Sequence, residues 1–266
     1  MKLSVSNIAL KKNLDYVLNF FERENCSGIE IAPDLVWENP TKTSFFERKS
    51  VLKKIKGKNL EITGFHSLLF QKDECQMFGD KEFRKNFLDY LKNIMQLCAD
   101  VEGKQVVYGS PKSRELQKKS LDEARKISLD IFDELSQFGK DLNVYFCIEP
   151  LDKIECEFIN NYREAIELVK KINNDFFKIN FDTKTLFYSQ ENLDELKKNF
   201  DYFVHFQISE KGLKPICYSD QDHNKINRFL RENCYNKFLS IEMIDTGNEE
   251  DLKKSISYVK KHYELK

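Results

Sequence analysis

Asn143-Val-Tyr-Phe-Cys-Ile-Glu149-Pro150 is the stretch on which the fold turns. Val144 to Ile148 is an apolar run, too short for a helix, and it stops at a carboxylate followed by proline. Such a run suits a parallel strand buried on both faces. Phe177-Lys-Ile-Asn-Phe-Asp182 repeats the pattern, and so does Phe238-Leu-Ser-Ile-Glu242. Working outward, comparable β-rich runs occupy Lys2–Ser6, Gly28–Ala32, Leu60–His66, Lys104–Gly109, Asn143–Glu149, Phe177–Asp182, Tyr202–Ile208 and Phe238–Ile244. Between them lie amphipathic segments such as Asp80–Ala99, Leu121–Gly139, Tyr162–Ile172, Asn192–Phe200 and Glu249–His262. In the second of these, Leu121, Ala124, Ile127, Ile131, Leu135 and Phe138 recur three or four apart, which is helical spacing. Ser120 with Glu123 reads as the opening cap, and Gly139 as the closing one. Eight β-then-α units without a second composition type predict an α/β fold, a (β/α)₈ TIM barrel in one domain over residues 1–266. An open doubly wound sheet would want a glycine-rich phosphate loop after the first strand, and no glycine occurs between Ser6 and Gly28.

The composition narrows the partners. A hydrophobic fraction of 41% with 22 Phe indicates a packed core, and 43 basic residues nearly cancel 44 acidic ones. The resulting net charge of -1 gives no general pull toward nucleic acid or anionic lipid. The opening Met1–Val17 lacks the unbroken apolar core of a signal peptide, and no run approaches the ~20 apolar residues of a membrane span. The seven cysteines are scattered, with no C-x-x-C pair. The expectation is a cytoplasmic protein with a small-molecule partner and neither nucleic acid nor membrane; self-association to a homo-oligomer is left open.

In this fold the C-terminal ends of the strands converge on one face, where active sites are built. Here those ends carry Glu149, Asp182 and Glu242, each closing an otherwise apolar run. A single such carboxylate reads equally well as a helix cap or an ion-pair partner. Three converging ones repel each other and call for a cation, of which a bound divalent metal is the usual form.

The sequence resembles the xylose-isomerase-like barrel superfamily, and within it the sugar phosphate isomerase/epimerase group that includes ketose 3-epimerases. The resemblance is carried by Gly28-Ile-Glu-Ile-Ala-Pro33 with Trp37, Gly109-Ser-Pro-Lys-Ser-Arg114, Ile148-Glu-Pro-Leu-Asp-Lys-Ile-Glu155, His205-Phe-Gln-Ile-Ser-Glu210 and Ser240-Ile-Glu-Met243. It implies metal ligands at Glu149, Asp182, Gln207 and Glu242, with Glu149 and Glu242 also shuttling the substrate proton. It further implies a hydroxyl-binding Glu155, wall residues His66 and Glu30, and a loop of Ser110, Lys112 and Arg114 suited to a phosphate or carboxylate. Three departures stand out. Gln207 replaces a common His, Thr185 stands where the epimerases carry His, and Lys211 and Lys214 stand where they carry Arg. With every protein ligand an oxygen donor, Mn²⁺ or Mg²⁺ is the expected ion.

Three further residues have a bland and a functional reading each. His205 shares a strand face with Gln207 and reads as a deeper layer or a residue behind the metal. His223 opens a helix after Ser219–Asp222, where capping accounts for it as well as substrate contact does. Trp37 suits stacking on a sugar or covering the barrel mouth. Lys211, by the resemblance, joins the expected substrate-binding residues. The leading function is a metal-dependent sugar or sugar phosphate isomerase or epimerase, with inosose-type dehydration as a close variant. A non-catalytic carbohydrate-binding barrel is the second reading. An apurinic-site endonuclease would want several histidines and a basic groove, and the chain has four His and net charge -1.

Overall fold

A computed structural model describes residues Met1–Leu265. Eight parallel strands close into a barrel in sequence order: β1 (Lys2–Ser6), β2 (Gly28–Ile31), β3 (Glu61–Phe65), β4 (Gln105–Tyr108), β5 (Tyr145–Ile148), β6 (Phe177–Asp182), β7 (Phe203–Ile208) and β8 (Phe238–Ile241). The ring shuts where β1 pairs with β8, Lys2 opposite Phe238 and Val5 opposite Ile241. Around it run α1 (Leu14–Arg23), α2 (Phe45–Lys56), α3 (Lys81–Asp100), α4 (Leu121–Leu142), α5 (Tyr162–Ile172), α6 (Thr183–Ser189), α7 (Leu193–Lys197), α8 (His223–Glu232) and α9 (Glu249–His262). All eight expected strand runs are present, each within two residues at its start and three at its end. Among the described residues no helix is long and apolar enough to cross a membrane.

The core between strands and helices is aromatic, which is where the many Phe go. Phe132 on α4 stacks on Phe177 at 5.2 Å, and Phe146 faces both at 5.7 and 6.1 Å. Tyr162 on α5 lies flat on Phe181 at 5.1 Å, while its hydroxyl donates to the Asp182 carbonyl at 2.7 Å and accepts from the Asp182 amide at 2.8 Å. The same side chain therefore packs the core and pins the end of β6, which fixes where Asp182 emerges.

The expected closing cap of α4 is corrected. The helix passes through Gly139 and ends at Leu142, where Asn143 adopts a left-handed φ of 56° and its amide bonds back to the last turn. Gly139 is there for space: a Cβ would run into the Val144 carbonyl oxygen where the chain turns into β5.

The barrel interior is polar where branched aliphatic layers are the rule. Glu30, fully buried, accepts from His205 Nε2 at 2.7 Å, from Gln207 Nε2 at 3.2 Å and from the Ser240 hydroxyl. Gln105 Nε2 donates to His205 Nδ1 at 2.9 Å, and Ser4 meets Thr63 at 3.1 Å. These bonds satisfy groups whose burial would otherwise cost a few kcal/mol each.

Candidate active site

Three strand ends build the site. Glu149 follows β5, Asp182 closes β6 and Glu242 follows β8; one oxygen from each lies within 4.8 Å of the other two, and all three residues are buried. Each is held by its own local device. Arg114 Nη2 donates to the Glu149 carbonyl at 3.0 Å, and Gly109 leaves room for the carboxylate, since a Cβ there would sit 2.7 Å from Glu149 Oε2. Asp182 Oδ1 caps α6 by accepting the Lys184 amide at 2.9 Å and also takes the Ser209 hydroxyl. Glu242 Oε1 is 3.0 Å from His66 Nδ1, and His66 Nε2 is 2.5 Å from Ser6 Oγ. Ser6, His66 and Glu242 thus form a relay across the ends of three strands.

After these contacts, Asp182 Oδ2 and Glu242 Oε2 accept no hydrogen bond from any described residue, although both are buried. Positive charge reaches Asp182 and Glu149 from Lys184, whose Nζ lies 3.3 Å from Asp182 Oδ2 and 3.6 Å from Glu149 Oε1, with 8% of its side chain exposed. Burial pushes Glu149 up to about 8, with Lys184 pulling the other way. Burial lifts Asp182 as well, again against Lys184. Burial would raise Glu242 too, but the hydrogen bond and charge of His66 outweigh it and hold the group below its ordinary value. Burial opposes charge on Lys184, and the surrounding carboxylates, Asp182 and Glu149 foremost, override it and drive its pKa well up.

The three carboxylates open on a cavity of about 450 Å³ at the barrel mouth, bordered by His66, Ser110, Lys112, Glu155, Lys184 and Leu213. Ligand pockets of a few hundred Å³ are ordinary for small molecules. Of the residues expected there, His66, Ser110, Glu149, Glu155 and Glu242 border it. Asp182 lies just beneath, in the carboxylate cluster.

Several expectations are corrected. Arg114 is fully buried, with its guanidinium 5.3 Å from the Tyr108 ring and bonded to the Glu149 and Phe158 carbonyls, so it braces the β5 end and does not meet the cavity. Glu30 sits inside the barrel with both oxygens engaged, away from any substrate. Gln207 spends its amide on the same layer: Oε1 accepts from Asn180 while Nε2 donates to Glu30, so its oxygen is not offered to the carboxylate cluster. His205 belongs to that deeper layer too. His223 is buried between Glu210 Oε1 at 2.9 Å and the Tyr263 hydroxyl at 2.8 Å. Trp37 packs on Phe65 at 5.9 Å, and Lys211 lies over the Tyr188 ring at 5.5 Å. None of these last three borders the cavity. Thr185, which stands where the epimerases carry His, donates to the Pro150 carbonyl at 2.7 Å.

Sequence reasoning missed Lys184, Ser6 and Gly109. The available signals were thin: a lysine two residues after the strand-six carboxylate, a serine closing β1, and a glycine opening the loop after β4.

A closed eight-strand barrel with a carboxylate cluster at its mouth defines a broad class of proteins, and the sequence places this one within it. The chain belongs to the xylose isomerase-like TIM barrel family, whose pattern matches residues 19–262. No curated protein matches the sequence significantly. Among solved structures it is similar to the apo form of 3-keto-D-glucoside 4-epimerase from E. coli, with TM-score 0.83 and 19% identity over 98% of this chain and 99% of the other. It is also similar to D-psicose 3-epimerase with D-tagatose from Clostridium cellulolyticum H10, with TM-score 0.84 and 15% identity over 99% and 98%. A third is the IolI protein with a bound zinc atom, with TM-score 0.77 and 19% identity over 99% and 98%. At these identities the likeness establishes the fold.

Proposed function

We propose that this chain is a divalent-metal-dependent isomerase or epimerase of a sugar or sugar phosphate. The observation that carries the reading is the carboxylate cluster itself: three acids from β5, β6 and β8 meet at the floor of a sugar-sized cavity, and two of their buried oxygens have no hydrogen bond. Buried anionic oxygens without a hydrogen bond are costly, and a cation is what such a set suits. Two structural neighbours, both sugar epimerases, point the same way.

Glu149, Asp182 and Glu242 would hold the ion, and an all-oxygen set favours Mn²⁺ or Mg²⁺. When bound, the ion would polarise the substrate carbonyl and so acidify the adjacent carbon. The rest falls to the chain. Glu242, braced at Oε1 by His66, takes the carbon-bound proton on one side of the substrate, and Glu149 on β5 supplies one from the other. Return to the opposite face gives epimerisation, and return to the neighbouring carbon gives aldose–ketose isomerisation. Glu155 and the Ser110–Lys112 loop border the cavity, where they meet the remaining hydroxyls or a phosphate. The placing of the Gln207 amide in the layer below gives some support to a second reading, a carbohydrate-binding barrel without turnover.

The test is turnover of a panel of ketoses, aldoses and their phosphates with Mn²⁺ or Mg²⁺ in D₂O. Deuterium is expected on the carbon that changes configuration or oxidation level. Glu149→Gln and Glu242→Gln should fold and lose about 10²-fold or more in turnover, the usual contribution of a general base. A Glu242→Gln enzyme running at the parent rate removes that residue from the mechanism, and tight metal binding without turnover of any sugar selects the binding barrel.

A further inference from the structure

Lys184 occupies the place where a cation is wanted. Its ammonium sits 3.3 Å from Asp182 Oδ2 and 3.6 Å from Glu149 Oε1, and both carboxylates belong to the cluster assigned above to the metal. The placement is built in locally. Asp182 Oδ1 captures the Lys184 amide at 2.9 Å to start α6, so the residue begins its side chain beside the β6 end. Residue burial then leaves the ammonium little else to pair with in this position. Burying a lysine is expensive unless carboxylates compensate it, and here they do.

One ammonium does not satisfy three carboxylates. Asp182 Oδ2 and Glu242 Oε2 still lack hydrogen bonds, and with Lys184 in place and a charged His66 beside Glu242 the cluster keeps one negative charge in excess when all three acids are ionised. A divalent ion would more than cancel that excess. It would also have to sit a few ångströms from the ammonium, where two positive charges in a buried site repel strongly. The lysine stem is flexible, and the cavity it borders is also bordered by Glu155, an exposed carboxylate.

We infer that Lys184 is an internal counter-cation that competes with the divalent metal for the carboxylate cluster, each displacing the other. In the metal-free protein the ammonium keeps the three acids gathered. On metal loading it leaves for the cavity, where it becomes available to substrate oxygens. The inference rests on the metal reading above and goes beyond it by giving the chain's own residue control over loading.

Two measurements test it. Calorimetric titration of Mn²⁺ into metal-free wild-type protein and Lys184→Met should show the variant binding at least about 10-fold more tightly. Equal affinity in both proteins overturns the inference and leaves the metal reading intact. Weaker binding by the variant also overturns it, since Lys184 would then be positioning the carboxylates. If neither protein binds Mn²⁺, both readings fall together. The second measurement needs no variant. Amine-directed labelling of the wild type, read by mass spectrometry, should modify Lys184 several-fold faster when Mn²⁺ is present. Unchanged labelling of Lys184 in a protein that demonstrably holds Mn²⁺ contradicts displacement.

Discussion

Asp182 shows how much one side chain does here. Its backbone is clamped by Tyr162, one oxygen caps α6 and takes Ser209, and the other faces Lys184 in the carboxylate cluster. A helix cap and a site residue are alternatives in sequence but not in space. His66 is similarly engaged, between Ser6 and Glu242. Burial works against its charge, but the carboxylates of Glu30 and Glu242 outweigh burial and raise it from 6.5 to about 9. A group raised in the folded state stabilises fully below its unfolded value, and that contribution fades as pH climbs through the folded one. The window is therefore pH 6.5 to 9. In urea unfolding of metal-free protein His66 should account for a loss on the order of 2–3 kcal/mol across that window, at about 1.4 kcal/mol per pH unit per proton, on top of the loss from Glu149, raised to about 8. His66→Gln should keep only the Glu149 share of that loss, and an equal loss in both proteins would remove His66 as a cause. The three carboxylates were legible because an acid at the end of a buried apolar run is costly and conspicuous. Lys184 was not, because a lysine beside an acid is usually solvated, and its direction is set by the α6 cap. Arg114 was misread for the opposite reason: its loop looks exposed, but two carbonyls and the Tyr108 ring bury it.

At the scale of elements, strands were easier to place than helix ends. An apolar run such as Val144–Ile148 has few alternatives, and seven further strands complete the ring around it. Helix ends depend on single backbone conformations, as α4 illustrates. Gly139 looks like a terminator, but Asn143 takes the left-handed position three residues beyond Lys140, and the glycine instead permits close approach of the β5 chain. The two accounts of Gly139 predict opposite signs. Helix propensity alone makes Gly139→Ala stabilising by about 1 kcal/mol. The obstructing atom is the Val144 backbone oxygen, which cannot rotate away like a side chain, so overpacking should win and cost about 1–3 kcal/mol. A fall in thermal midpoint is expected. A rise would mean that the turn into β5 yields freely and that the glycine is not required for packing.

For the whole molecule, barrel closure turns separate strand ends into one site. Glu149 and Glu242 are 93 positions apart in sequence, yet the ring β5-β6-β7-β8 brings them and Asp182 within 4.8 Å. The register shift between Ile179 and Asn180 sets Asp182 opposite Gln207, and the polar layer below then absorbs Gln207, His205 and Glu30. Sequence periodicity carried the barrel and its convergent face. It did not carry depth along the axis, which separates residues bordering the cavity from those one layer beneath, because both kinds alternate inward on the same strands. The central claim is that the mouth cluster holds a divalent cation, and anomalous diffraction from crystals grown with Mn²⁺ tests it most directly. The account predicts one strong peak with oxygens of Glu149, Asp182 and Glu242 about 2.0–2.6 Å away, the range for oxygen ligands of such ions, and the Lys184 ammonium moved off the cluster. Mn²⁺ bound elsewhere, or no peak at the cluster while Lys184 stays against Asp182 and Glu149, would contradict it.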